Sequence, residues 1–450
     1  MSPFPRMSPF PRHRIPTALA VMAGAALTVP VALAVPAALA APATVQVAAS
    51  ASSAVVSPVS VAPDGAASAA RAHWVSSWYA AQQPSSPGST AAGGFTDTTV
   101  RLRVHTSLGG ELLRVRLSNV YGTRPLSVGP VTIGLPQDAA RTATGAAVRP
   151  GTLRSVTFSG VATTTVAAGA DTISDPVVGP LPADADVLVS VYLPGPTGPL
   201  TGHSLANETS TVSTAGNHTN ETRSSAFTTT TGNWFVLEGI DVAGPPALGT
   251  VATFGDSITE GWQSTPDADR RWPDRLAERL AAAHLRIGVA NTSISGNRIL
   301  LDTQDYGLNA LSRVDRDVLA LPGIRSVVIQ LGINDIQQDP HQTNPAVIEQ
   351  GLTQLALRAH DRGLTVIAGT LSPFKGWSVY SDELERTRLA VNAWIRQAPI
   401  FDHVVDFDAV LRDPAVPLTL RPAWDSGDHL HPNDAGYAAM AAALPLTWLR

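Results

Sequence analysis

The stretch VATFGDSITEG, from Val251 to Gly261, places Ser257 just past a short apolar run, behind Gly255 and Asp256. A serine in that position is either a nucleophile or a helix cap, and the stretch alone does not decide. A serine hydroxyl is too weakly acidic to attack an ester unaided, so a nucleophilic Ser257 needs a base and an oxyanion site elsewhere in the chain. The segment WDSGDHLHPNDAGY supplies a candidate base, because Asp428 stands three residues before His431, close enough in a turn for a carboxylate to orient an imidazole. His429 is a rival imidazole in the same segment. Its side chain would leave an extended turn on the opposite side from that of His431, and a carboxylate at the adjacent position 428 would tend to point away from it.

Two further strand ends carry residues that permit close approach: Gly296 and Asn297 in NTSISGNRIL, and Gly332, Asn334 and Asp335 in QLGINDI. Glycine at 296 lets backbone approach a substrate, and an amide at 334 donates hydrogen bonds without bringing charge, although Asn334 is also an ordinary turn residue. His429, His431 and Asp434 together suggest a metal site, but no fourth ligand cluster is evident, and neither metal nor cofactor is expected. GHSLA, at 202–206, imitates the G-x-S-x-G elbow of another hydrolase class; it lacks the last glycine and lies in a Thr/Ser-rich stretch.

The elements that must position these residues change character along the chain. In TTVRLRVHTSLGGELLRVRLSNVYG, period-two alternation sets Val100, Leu102 and Val104 before Gly109-Gly110 and Leu113, Val115 and Leu117 after it, which predicts a hairpin. More strands are expected at 155–159, 187–193 and 234–242, with no helical period between 95 and 245, so residues 71–245 read as a β-sandwich domain. Gly244-Pro245-Pro246 makes a stiff break. Beyond it, apolar runs at 251–254, 287–290, 327–331, 365–368 and 404–407 have the character of parallel strands buried on both faces. They alternate with amphipathic segments: RWPDRLAERLAAA, with Leu276, Leu280 and Ala283 on one face, and SDELERTRLAVNAWIRQA, opened by a Ser/Asp cap. Residues 246–450 therefore read as a doubly wound α/β domain with its chemistry outside the carboxyl ends of the strands, where Ser257 sits.

Composition narrows the partners. The 450 residues are 44% apolar and 15% charged, enough for two cores. A formal net charge of -5, from 31 basic and 36 acidic residues without a block of either sign, gives no nucleic-acid or polybasic membrane footprint. There is no cysteine, so disulfides and thiolate metal sites are excluded. Arg6, Arg12, His13 and Arg14 precede an Ala/Val/Leu-rich run and a small-residue site at Ala38-Leu39-Ala40. These predict a signal peptide over 1–40 and secretion; Pro30 and Pro36 interrupt the run and disfavour an uncleaved anchor. The duplicated MSPFPR leaves the start at Met1 or Met7, and residues 41–70 form an Ala/Ser/Pro-rich spacer expected to be disordered.

The ordered blocks Gly255-Asp256-Ser257-Ile258, Gly296 in SGNR, Gly332-Ile333-Asn334-Asp335, and Asp428 with His431 resemble the SGNH hydrolases, the GDSL-type esterases and lipases, over residues 250–450. WVSSWYA and NWFVLEGIDV add a likeness to the β-rich region of a secreted actinobacterial branch. The resemblance implies an SGNH-type sheet and a cofactor-free carboxylic ester hydrolase working through an acyl-enzyme. In it Ser257 is the nucleophile, His431 the base and Asp428 its orienter, and the oxyanion is held by Ser257 N–H, Gly296 N–H and the Asn334 amide. Asp256, Asn297 and Asp335 are read as supporting residues. The expected substrate is a small-molecule or polysaccharide ester, with O-deacetylation favoured. A long-chain lipase or phospholipase is the nearest alternative. A non-catalytic carbohydrate-binding protein is the alternative of another class, disfavoured by the intact Ser257, Asp428 and His431. Trp262, Trp377 and Trp424 flank the site segments as core or pocket residues, and sequons at Asn207, Asn217 and Asn220 are discounted for a chain of bacterial composition.

Overall fold

The computed structural model describes residues 72–138, 143–245, 247–303 and 305–450. The expected signal peptide and spacer, residues 1–70, lie outside them. The described residues all belong to one compact unit, Ala62–Arg450, and pack around two hydrophobic cores.

The first core is built from residues of two antiparallel sheets. One orders its strands Val75–Tyr79, Leu237–Ala243, Gly110–Ser118 and Asp171–Ile173, with Val177–Leu181 also pairing with Gly110–Ser118. The other orders Phe227–Thr231, Ser210–Ala215, Thr98–Thr106, Ala185–Leu193, Val131–Gly134 and Arg154–Val156. Cross-strand pairs Val100–Val191, Leu102–Val189 and Val104–Val187 form its inner face, with each side chain fully buried.

The hairpin expected around Gly109-Gly110 does not form. Thr98–Thr106 pairs with Ala185–Leu193 and Ser210–Ala215, whereas Gly110–Ser118 pairs within the opposite sheet. Alternation reports which face of a strand is buried, not which strand lies beside it. Here both strands contribute apolar residues to the same core, and the chain crosses between sheets. Gly109 serves that crossing, since a Cβ there would stand 2.4 Å from the Leu181 carbonyl oxygen.

The second core surrounds a five-stranded parallel sheet ordered Ile287–Asn291, Gly249–Gly255, Ile324–Gln330, Thr365–Gly369 and His403–Val405. The first strand in the sequence, Gly249–Gly255, is buried along its whole length, as a strand covered by helices on both faces must be. The chain runs to one edge and then back across the sheet, so the strand order reverses between Gly249–Gly255 and Ile324–Gln330. The crevice at such a reversal is where open α/β sheets hold ligands.

Helix Trp272–Ala282 takes Pro273 in its first turn and buries Trp272, Leu276, Ala277 and Leu280. Ala283, expected on that face, is the exposed residue that ends the helix. Helix Asp382–Ile395 opens as its sequence predicts, with the Ser381 hydroxyl accepting from Leu384 N at 3.2 Å. Strand Val75–Tyr79 serves both cores, turning Val75 and Trp78 to the first and Tyr79 to the second. Gly288 leaves it room, because a Cβ there would meet the Ser76 carbonyl oxygen at 2.0 Å.

Candidate active site

Ser257 is the first residue of the short helix Ser257–Glu260. The cap of that helix is Asp256, whose carboxylate accepts from Ile258 N at 3.0 Å. This leaves the Ser257 hydroxyl for another partner and its N–H without an intrahelical acceptor. Burial, reinforced by Asp335 and Glu260, pushes the Asp256 carboxyl up to about 7 against the pull of its cap bond.

Ser257 Oγ lies 2.8 Å from His431 Nε2, and His431 Nδ1 lies 2.7 Å from Asp428 Oδ2. Asp428 Oδ1 accepts from the backbone N–H groups of Leu430 and His431, at 2.9 and 2.8 Å. The carboxylate thus shapes the turn that carries its own imidazole. Burial raises the Asp428 carboxyl, but the His431 side chain and the two N–H donors outweigh it and hold the group at about 2. Because the folded value is depressed, the stabilisation from Asp428 is complete above the ordinary carboxyl range, about 3.9, and is lost as pH falls through about 2.

His429 points elsewhere. Its backbone is left-handed, with φ of 70°, and its half-exposed ring pairs with Asp425 Oδ2 at 2.6 Å. The turn is thus kinked where the sequence reading assumed extended chain, but the outcome for the two imidazoles is the same. Asp434, the third member of the considered metal set, accepts from Thr265 and Arg270 and stays apart from His431.

Gly296 and Asn334 follow the two strands that flank Gly249–Gly255. Gly296 has φ of 73°, and a Cβ there would stand 2.5 Å from the Tyr306 ring. Asn334 is buried, donates from Nδ2 to the Asn297 carbonyl at 3.1 Å, and accepts at Oδ1 from Gln337 and Gln338 at 2.7 and 3.0 Å. The two glutamines fix which end of the amide is the donor. Asp335 receives Ile299 N at 2.8 Å and Leu300 N at 3.1 Å, tying this strand end to the loop that carries Gly296. A hydroxyl bonded to an imidazole that is bonded to a carboxylate, beside backbone and amide donors, can perform nucleophilic acyl transfer.

Residues 253–439 match the model of the GDSL-like lipase/acylhydrolase family. The protein is a carboxylic ester hydrolase.

Solved structures similar to the hydrolase include an acetylxylan esterase from Geobacillus stearothermophilus, 25% identical over 45% of this chain and 94% of that one, with a TM-score of 0.35. A GDSL-like lipase from Bacteroides thetaiotaomicron is 20% identical over 44% of this chain and 87% of that one, with a TM-score of 0.34. A psychrotrophic esterase from a Pseudoalteromonas species is 18% identical over 43% of this chain and 93% of that one, also at 0.34. No curated protein matches the hydrolase.

The sequence reading missed Arg313. This buried guanidinium reaches Asn297 Oδ1 at 2.9 Å, the Thr292 carbonyl at 2.6 Å and the Gly255 carbonyl at 3.2 Å, and it lies over the Phe254 ring. One residue thereby joins the ends of two strands to the Gly296 loop. Asp317 partners it at 3.0 Å, and removing either member of such a buried pair costs about 3–5 kcal/mol. The only sequence signal was an Arg and an Asp four residues apart, a spacing that exposed helices also use.

Trp262 and Trp377 stand edge-on to the His431 ring, at centroid distances of 6.4 and 6.1 Å, and both are half-buried. Trp424 instead lies under the Arg421 guanidinium. Among the described residues, one further group has metal-ligating side chains close together: His105, Asp186 and Asp269. Burial lowers the His105 imidazole, but Asp186, Asp269 and Asp184 outweigh it and raise it to about 9. Its ring nitrogens lie 2.9 Å from Asp186 Oδ1, 3.3 Å from Asp269 Oδ2 and 3.0 Å from Asp184 Oδ1, so the imidazole is paired with carboxylates on both sides.

Proposed function

We propose that Ser257 is the nucleophile of this ester hydrolase, His431 its general base and Asp428 the carboxylate that orients the imidazole. The observation that carries the reading is the continuous chain of contacts, 2.8 Å from Ser257 Oγ to His431 and 2.7 Å from His431 to Asp428. Ser257 Oγ attacks the ester carbonyl while His431 Nε2 takes its proton. The tetrahedral intermediate collapses, and the alcohol leaves with the proton from His431. Water, deprotonated by the same imidazole, then attacks the acyl-enzyme and frees the acid.

Ser257 N–H, Gly296 N–H and Asn334 Nδ2 receive the oxyanion, with Asp256, Asn297 and Asp335 holding the loops that present them. Asn334→Ala is expected to lower kcat by ~10²–10³ with a smaller change in KM, because an amide donor binds a charged oxygen more strongly than a ground-state carbonyl. Steady-state kinetics on a p-nitrophenyl ester checks this, and a change confined to KM would reduce Asn334 to substrate positioning.

The substrate we infer is a short-acyl ester on a carbohydrate, so the reaction is O-deacetylation. Two half-exposed indoles beside the imidazole suit a substrate that presents apolar ring faces in water. Turnover of p-nitrophenyl esters from C2 to C16, run beside acetylated xylan, is expected to favour C2–C4 and to release acetate from the polymer. Rising kcat/KM toward C16 would assign a lipase instead. We further read the chain as exported by its N-terminal segment, with the antiparallel region 71–245 as a β-sandwich domain and 246–450 as the catalytic one. Among the described residues, no helix is long and apolar enough to cross a membrane.

A further inference from the structure

We propose that His203, in the antiparallel region, is a positioning residue for ester hydrolysis: through Glu260 and Ser295 it holds the Ser257 helix against the Gly296 turn. This rests on reading Ser257 as the nucleophile and Gly296 N–H as an oxyanion donor. The stretch GHSLA, which imitates a serine elbow, in fact delivers an imidazole, while its Ser204 turns away to Gln83.

His203 is fixed from three sides. Strand Gly202–His203 pairs with Trp234–Phe235, and the Trp234 indole lies alongside the imidazole at a centroid distance of 5.6 Å. His203 Nδ1 stands 2.8 Å from the Ala81 carbonyl. A carbonyl only accepts, so Nδ1 carries a proton and Nε2 faces the other way, 3.0 Å from Glu260 Oε1. Both side chains are almost fully buried.

Glu260 is the last residue of the four-residue helix that begins with Ser257. Its Oε2 accepts from the Ser295 hydroxyl, and Ser295 immediately precedes Gly296. Among the described residues Glu260 Oε1 is buried without a hydrogen-bond donor, and the His203 ring nitrogen, 3.0 Å away, is the ion-pair contact that faces it. Without His203, Oε1 would be a buried oxygen with no partner, which destabilises the rotamer that presents Oε2 to Ser295.

The loop behind the helix is held by the same segment. Asp267 N donates to the Asn207 carbonyl at 3.0 Å, Asn207 Nδ2 donates to Ser264 Oγ at 2.6 Å, and Arg271 reaches the Ala206 carbonyl at 3.4 Å. The nucleophile and the glycine donor arise on different loops, and the Glu260 carboxylate is a side-chain bridge between them. Displacing one donor relative to the other weakens the transition state more than the ground state.

The test measures kcat and KM for p-nitrophenyl acetate in the full chain, with competent sites counted by stoichiometric reaction with an organophosphonate. Per competent site, His203→Ala and Glu260→Ala are each expected to lower kcat by ~10–100-fold with KM within about threefold. The double variant should be no slower than the slower single one, because both act through one contact. Glu260→Gln, whose amide can donate to His203 Nε2 and accept from Ser295, should exceed Glu260→Ala by ~10-fold.

Ser295→Ala removes one hydroxyl from a half-buried turn and decides the matter if the buried variants do not fold. A several-fold lower kcat at constant KM supports the proposal, and unchanged kcat overturns it. Equal rates for Glu260→Gln and Glu260→Ala, or an effect confined to the number of competent sites, also overturn it. Ser257→Ala, run in parallel, separates the two readings. If Ser257→Ala is inactive while the His203 and Ser295 variants turn over normally, only the positioning proposal fails; if Ser257→Ala is active, the site assignment itself fails.

Discussion

Ser257→Ala is expected to lower kcat on p-nitrophenyl acetate by ~10⁵–10⁶, leaving only what binding and the oxyanion donors supply. The fold should survive the change. Among the described residues the Ser257 hydroxyl is bonded to His431 alone, whereas the helix it opens is capped by Asp256, so alanine removes the hydroxyl without removing the cap. Alanine is also the best helix former, so the first turn loses nothing. Stopped assays with purified protein, with circular dichroism as the fold control, make the measurement. Retention of more than about a tenth of kcat with an unchanged spectrum would remove Ser257 from the reaction, since no member of such a triad is that dispensable.

The second large effect separates two imidazoles in one turn. His431→Gln is expected to cost about as much as Ser257→Ala, because glutamine can neither take nor return the proton. His429→Gln is expected to stay within about threefold of the parent, as changes distant from the reacting atoms generally do. His429 is half-exposed and bonds Asp425, and that carboxylate also accepts from Gly427 N and His429 N, so the turn stays held after the ring is removed. Parallel kinetics of the two variants settles the choice. A dead His429→Gln beside an active His431→Gln would falsify the triad.

Much of the candidate site was legible before folding because its contacts are local. Asp428 and His431 lie within one turn, so their spacing bounds how far apart the two groups can be. The parallel strands were legible for a similar reason: burial on both faces forces a near-continuous apolar run, and each of the five runs read from the sequence overlaps one of the five strands of the sheet, with ends that differ by up to three residues. The last run closes at Val405, where Asp406 caps a short helix starting at Phe407; an apolar residue fits a helix as well as a strand there.

By itself the sequence determined the residue types able to do acyl chemistry, the order in which they occur, and the faces that strands and helices must bury, since each depends on neighbours within a few residues. Only the tertiary structure decided what depends on distance through space. It sent the strands on either side of Gly109-Gly110 into opposite sheets, drew Arg313 under three separate segments, and brought His203 to Glu260. Pairing and burial of polar groups are contests among all segments at once. A period-two pattern is satisfied by any partner that covers its apolar face, and a buried arginine or histidine looks the same in sequence as an exposed one until the chain has closed around it.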